Sequence, residues 1–304
     1  MGRKGDGPGE FRHLTWIGAI GGDSIFTYDS GHDRVSVFSA DGRYLASWRV
    51  GLGLVGLWRR VAGPARGGDL YFALGPAPGF GPVSPGRGCG SIRVLRFDRA
   101  TGDLDTMRTD PGQDAHSFVL SERPHEIWIQ PVPFCPDGSF AAGPDRLAFG
   151  DAAYPGTLIT DEAGRPELEI HLGLAARRPT RRGSERMIEH IRATGPEGFQ
   201  ERRDRFTGLV APRDTLPFFS GLPFDRSGLL WVRLYSFPWE ETTTLVAFDR
   251  EGRAIRTVRL PTDVELLDIG SDHALALRRD SLGVESVVLM RLAGRKGGPG
   301  VATR

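Results

Sequence analysis

One turn phrase recurs along this chain and constrains its fold more than any other feature. Val35-Ser-Val-Phe-Ser-Ala-Asp-Gly-Arg43 matches Leu245-Val-Ala-Phe-Asp-Arg-Glu-Gly-Arg253 almost position for position. Val94-Leu-Arg-Phe-Asp-Arg-Ala-Thr-Gly102 is the same phrase with one extra residue, and Leu158-Ile-Thr-Asp-Glu-Ala-Gly-Arg165 is a weaker copy. Each couples an alternating apolar run to an acidic residue and a Gly. Gly enters positive φ without a Cβ clash, so the phrase reads as the turn of a β-hairpin. Ahead of each copy lies a further strand-like run: Ile25-Phe-Thr-Tyr28, Leu70-Tyr-Phe-Ala73, Arg146-Leu-Ala-Phe149 and Leu229-Leu-Trp-Val232. A partial unit closes the series, with runs at Leu266–Ile269, Ala274–Leu277 and Glu285–Leu292.

Repeated units of four antiparallel strands indicate an all-β chain folded as a β-propeller. Five units are readable: Leu14 to Val50, Leu57 to Met107, Ser139 to His171, Phe218 to Leu260, and Val264 to Leu292. Residues 1–293 are expected to form one propeller domain, and the Gly-rich basic stretch 294–304 a disordered tail. Phe38, Phe97 and Phe248 hold the same place in the phrase and should be buried in equivalent third strands.

The opening Gly2-Arg-Lys-Gly-Asp-Gly-Pro-Gly-Glu-Phe11 followed by such a unit resembles the junction between blades of NHL-type repeats. More narrowly, the chain resembles bacterial six-bladed, TolB-like propellers, and Leu260 to Leu292 resembles their closing blade. The resemblance implies a ring of six blades, of which the first is not in this sequence. It also implies an upstream unit with its own Phe-Asp-x-x-Gly-like turn, a secretion signal, and a periplasmic or secreted location. The five units present should then self-associate through open blade edges.

Composition narrows the rest. The 304 residues include 42 Gly and 22 Pro, which suits many turns and disfavours a helical fold. A net charge of +1 gives no bulk attraction to nucleic acid or membrane surfaces. No run of apolar residues reaches membrane-spanning length, and the first residues carry no apolar signal core. Cys89 and Cys135 cannot build a disulfide framework. They are read as two thiols, with a single bridge open to them in an oxidising compartment.

The connection lengths point to one functional face. Joins between first and second strands, such as Gly21-Gly-Asp23, and between third and fourth strands, such as Ala40-Asp-Gly42, are short. The long segments 75–90, 110–137, 173–216 and 235–242 fall on connections that share the opposite face of a propeller. Long loops on a rigid scaffold are where binding sites concentrate. Segment 173–216 carries the helical signals. Ser184 is read as the cap of a helix bearing Met187, Ile188 and Ile191, and Thr194-Gly-Pro-Glu197 as the capping box of a second helix. Between Arg177 and Arg205 nine Arg face five acids, which reads mainly as a solvated helix surface. The candidate ligand-binding residues are Trp128, Phe134, Arg233, Tyr235, Trp239 and Arg278, aromatic and Arg side chains of the kind that dominate recognition surfaces. Packing of the flap onto the disk is the competing role for the aromatics.

No catalytic residue is assigned. Gly51-Leu-Gly-Leu-Val-Gly56 matches a dinucleotide-loop spelling, but Gly63-Pro64 stops the helix that such a loop must open. The seven His show no i, i+4 pair on a helix, and no Cys-x-x-Cys occurs. Asp29 and Asp151 end corresponding strands and are weak candidates for Ca²⁺, with turn capping the favoured role. No cofactor is expected. The function expected is a non-enzymatic scaffold that binds a protein, peptide or small ligand on the long-loop face. The competing class is a propeller hydrolase, lactonase or lyase with a metal in its central funnel, which needs three or more converging carboxylate or His side chains.

Overall fold

The computed structural model describes residues 2–20, 23–52, 59–64, 68–75, 86–120, 123–194, 204, 207–208, 211–280, 283–292 and 295–296. Five antiparallel sheets follow one another along the chain as propeller blades. Blade one is β1 (Leu14–Ile20), β2 (Ser24–Asp29), β3 (Arg34–Ser39) and β4 (Tyr44–Arg49). Blade two is β5 (Arg59–Pro64), β6 (Leu70–Leu74), β7 (Gly86–Phe97), β8 (Leu104–Leu120) and β9 (Arg123–Pro131). Blade three is β10 (Gly138–Ala142), β11 (Leu147–Asp151), β12 (Gly156–Thr160) and β13 (Pro166–His171). Blade four is β14 (Phe219–Gly221), β15 (Leu230–Leu234), β16 (Thr242–Phe248) and β17 (Ala254–Pro261). Blade five holds three strands, β18 (Val264–Ile269), β19 (His273–Arg279) and β20 (Glu285–Arg291). The tail returns as β21 (Arg295–Lys296), which pairs with β17 at the outer edge of blade four. Among the described residues no helix is long and apolar enough to cross a membrane.

The turn phrase folds as its chemistry requires. Asp98, Asp161 and Asp249 each turn a carboxylate oxygen onto backbone N–H groups of the following residues, such as Ala100 and Thr101, Ala163 and Arg165, or Glu251 and Arg253. This self-capping satisfies the turn donors that the ladder leaves over. The Gly then takes φ of 86° at Gly42 and 77° at Gly252, where a side chain would be strained.

Apolar alternation fills the spaces between blades. Phe26, Tyr28, Val35 and Val37 of blade one meet Leu70, Phe72, Leu95 and Phe97 of blade two. Tyr71, Ile92 and Val94 on the other face of blade two meet Phe140, Leu147 and Phe149 of blade three. Ala148, Ile159 and Ile170 then meet Phe219, Leu230, Val232 and Phe248 of blade four. Trp231, Leu245 and Val258 meet Ile269, Ala274 and Leu292 around blade five. Phe97 and Phe248 therefore each point toward the blade before their own, both nearly sealed from solvent. Phe38 lies on the corresponding face of blade one, where its covering ring is Phe11, 6.0 Å away. The opening segment read as an inter-blade junction thus lies against blade one.

Five blades are joined by four such cores. The remaining face of blade five carries exposed Leu267, Leu275, Val287 and Leu289, and on blade one Ile17 and Leu45 are exposed. The first strands adjoin in chain order, β1 against β5, β5 against β10, and β10 against β14, so they line the axis.

Two expectations change. Of segments 75–90 and 110–137, read as loops, residues 86–90, 110–120 and 123–131 are strand, while 76–85 lie outside the described residues: β7 and β8 continue as a long hairpin from Gly86↔Ser117 inward, and β9 adds to β8 from Ala115↔Pro131 outward. Gly and Pro obscure the alternation there, but the backbone groups still pair across strands. In segment 173–216 the helix α1 spans Arg181–Ala193, and its cap is Thr180, not Ser184. The Thr180 hydroxyl accepts from Gly183 N at 3.0 Å, which satisfies one of the donors a helix start leaves open. Thr194, read as opening a second capping box, closes α1 instead, its hydroxyl donating to His190 O at 2.7 Å, and residues 195–197 of that box lie outside the described residues.

Candidate functional site

The flap and the aromatic loop of blade four come together on one face. Met187 of α1, Phe134 and Leu216 form a buried cluster, with Tyr235, Phe237 and Trp239 packed against it. Phe237 stacks on Trp239 with centroids 4.8 Å apart, and the Arg186 guanidinium lies 4.7 Å over the Trp239 ring. Arg177 donates to Tyr235 O at 3.0 Å, and Arg213 N to Pro133 O at 3.1 Å, which ties both ends of the flap to the disk. Burial pushes the Tyr235 phenol up to about 12. Phe134, Tyr235 and Trp239 are thus brought together, and their rings are spent largely on holding the flap. The side chain of Trp128 lies outside the described residues; its backbone runs in β9.

Arg233 and Arg278 stand apart from that cluster. Arg233 is half-buried on β15, and burial pushes its guanidinium below its ordinary value while Glu265 of β18 opposes the shift. Arg278 is exposed and pairs with Asp263 at 3.3 Å.

The weak metal candidates do different work. Asp29 is fully enclosed and accepts from Arg12 N at 2.8 Å, His13 N at 2.9 Å and Gly31 N at 2.9 Å, and its Oδ2 lies 2.6 Å from His32 Nδ1. Burial alone would raise this carboxyl; the hydrogen bonds from Arg12, His13, His32 and Gly31 outweigh it and hold it below its ordinary value. Its two oxygens thus tie Arg12 and His13, ahead of β1, to the turn at Gly31 and His32. Asp151 caps its own turn through Ala153 N at 2.9 Å. Among the described residues no three His, Cys, Asp or Glu side chains form a group that could hold a metal ion.

Two charged groups, Arg60 and Asp137, stand on or just ahead of the axial strands, at the flap end of the blades. Arg60 projects from β5, on the axis, and donates to Phe140 O of blade three at 3.0 Å. It is accessible to solvent yet walled by protein, and this enclosure pushes its guanidinium below its ordinary value, with Asp137 opposing. Asp137 stands just ahead of β10. Burial raises its carboxyl, Arg60 and the Gly138 N–H counteract in part, and Asp151 adds to the rise. Its Oδ1 is sealed from solvent and has no hydrogen-bond partner within the protein. Beside Asp151 a groove of about 350 Å³ opens between Tyr154, Thr157, Glu169 and His171. A sealed acceptor and a partly desolvated guanidinium within electrostatic reach of each other can take a ligand group that donates and accepts together. Neither residue belongs to a sequence motif. The one signal is a charged residue at, or just ahead of, an axial strand of an apolar fold.

No protein-family model matches the chain, and no curated protein matches it in sequence. Solved structures resemble it in shape. A DUF4221-family protein from Bacteroides vulgatus aligns with a TM-score of 0.49 at 8% identity, over 96% of this chain and 81% of that one. The calcium-binding protein regucalcin from Agrobacterium tumefaciens aligns at 0.37 and 14%, over 93% and 78%. Virginiamycin B lyase from Staphylococcus aureus aligns at 0.35 and 9%, over 92% and 85%. Likeness at this level carries no inference about activity, so the functional argument rests on the geometry of the chain itself.

Proposed function

We propose that the protein is a non-enzymatic propeller scaffold of the six-bladed type that binds a peptide or protein segment at the axial mouth on the flap face. The observation that carries this reading is the Asp137 carboxyl, whose Oδ1 is sealed and unpartnered within electrostatic reach of Arg60. A buried polar atom without a partner costs stability and calls for a reason, and a ligand that completes its hydrogen bonding supplies one. A peptide bond offers the donor and acceptor that this pair lacks. The flap, held by Phe134, Tyr235 and Trp239, forms the wall of the mouth, and the groove beside Asp151 gives a side chain somewhere to lie. The six-bladed type is supported by the uncovered faces of blades one and five, which leave one blade interface without a core. In this reading the protein works in the periplasm or outside the cell, in keeping with the TolB-like resemblance of its sequence.

The test is selection from a displayed random peptide library on the intact protein, followed by titration of the enriched peptide against Arg60→Ala and Asp137→Asn. Loss of about tenfold or more in affinity with each variant is expected. Selection that yields no peptide, or peptides indifferent to both substitutions, overturns the reading.

A further inference from the structure

Independently of that reading, β20 is an edge strand with a self-complementary sequence, and we infer that it pairs antiparallel with β20 of a second copy of this chain. Among the described strands β20 pairs on one side only, with β19. The turn fixes which of its groups point outward. Asp280 N donates to Val284 O at 3.1 Å, and Leu292 N to Asp272 O at 2.7 Å. Antiparallel ladders alternate between bonded and non-bonded pairs. In the register of β19 and β20, Ser286, Val288 and Met290 therefore bond inward to β19. Glu285, Val287, Leu289 and Arg291 direct their N–H and C=O groups to the open edge.

A two-fold axis at Val288 meets all of these requirements together. It sets Glu285 opposite Arg291 of the other copy and Val287 opposite Leu289, so each outward-facing backbone group meets another. The same two pairs form again on the other side of the axis. Opposite charges and apolar side chains directly across an antiparallel pair both favour that pairing. Sliding the register by one step in either direction breaks the charge match and shortens the overlap. In the register centred on Val288, Glu285 sits between Arg291 of the other copy and its own Arg279, which it contacts at 2.6 Å. The residues concerned are poorly covered within one chain: Leu289 is 70% exposed and Val287 63%. Exposed apolar edges of this kind template pairing with another strand unless they are blocked.

Two measurements on the full chain test this. The first is sedimentation velocity over a concentration series, with Glu285→Arg and the double variant Glu285→Arg/Arg291→Glu. A reversible dimer is expected, weakened about tenfold by the single reversal and restored by the double. The second is oxidative cross-linking of Val288→Cys in a Cys89→Ser/Cys135→Ser background. Residues facing across a non-bonded antiparallel pair are close enough for a disulfide, so the variant should link across the axis. Leu289→Cys in the same background should not link to itself, since its neighbour is Val287. A monomer at every concentration overturns the inference, as it would if another strand of the same protein covered β20. A dimer that links through Leu289→Cys but not Val288→Cys, or one indifferent to the charge swap, overturns it equally.

Discussion

Replacing Asp29 by Ala removes the acceptor for three backbone N–H groups and the partner of His32 at once. A buried donor left without a partner costs about 1–3 kcal/mol. Arg12 and His13 lie near the surface and can turn their N–H groups to water, whereas the enclosed space left by the carboxylate cannot collapse fully. A loss of about 2–4 kcal/mol is expected, read as a fall in the urea midpoint. The same substitution should free the segment that carries Phe11, exposing Arg3 and Arg12 to trypsin under native conditions. The effect should also depend on pH. Because the folded carboxyl titrates below its ordinary value of about 3.9, its contribution is complete above that pH and disappears as pH falls through the folded pKa. The gap between wild type and Asp29→Ala should therefore be constant from neutral pH down to about pH 5 and narrow at lower pH. A variant that unfolds within about 0.5 kcal/mol of wild type and shows no new cleavage would refute this account of Asp29.

Phe97→Ala and Phe248→Ala, each emptying a core between two blades, should cost about 3–5 kcal/mol in the same assay; a loss below about 1 kcal/mol would mean the ring is not core. Thr180→Ala should cost about 1 kcal/mol and appear as lost hydrogen-exchange protection in α1, with the blades unchanged. Trp239→Ala removes the stack with Phe237 and the Arg186 contact. It should raise exchange across α1 and leave protection of β15 and β16 in place; equal loss in both would place Trp239 in the blade core instead.

The blades were legible in the sequence because their turns are made by local chemistry. An Asp that bonds its own backbone and a Gly at positive φ announce a hairpin without help from the rest of the chain, and the turns at Asp98, Asp161 and Asp249 form as expected. The flap face was legible from connection lengths, and the meeting of Tyr235 and Trp239 with α1 agrees with them. The long hairpin of β7 and β8 was not, because its pairing is satisfied between distant segments whose Gly and Pro residues suppress the alternation. Thr180 was overlooked as a cap because the apolar face of α1 begins well inside the helix, near Met187, and drew the boundary with it. The roles of Asp29, Arg60 and Asp137 depend on which backbone passes each carboxylate or guanidinium, and that depends on the packing of whole blades. Nothing in the spelling of Pro136-Asp137-Gly138 separates a turn residue from an acid with one sealed, unpartnered oxygen.

The central claim is that Asp137 is kept at the axial mouth for a ligand, at a cost to the fold. A carboxyl raised by burial destabilises the native state wherever it is ionised. Its cost is absent at low pH and develops as pH rises through the raised folded pKa. The direct measurement compares Asp137→Asn with wild type at pH 7, in thermal midpoint and in affinity for the selected peptide. The account predicts a variant that melts higher than wild type and binds at least about tenfold more weakly, with the gain in midpoint vanishing as the carboxyl protonates. A variant that melts at or below the wild-type temperature and still binds with wild-type affinity would contradict it.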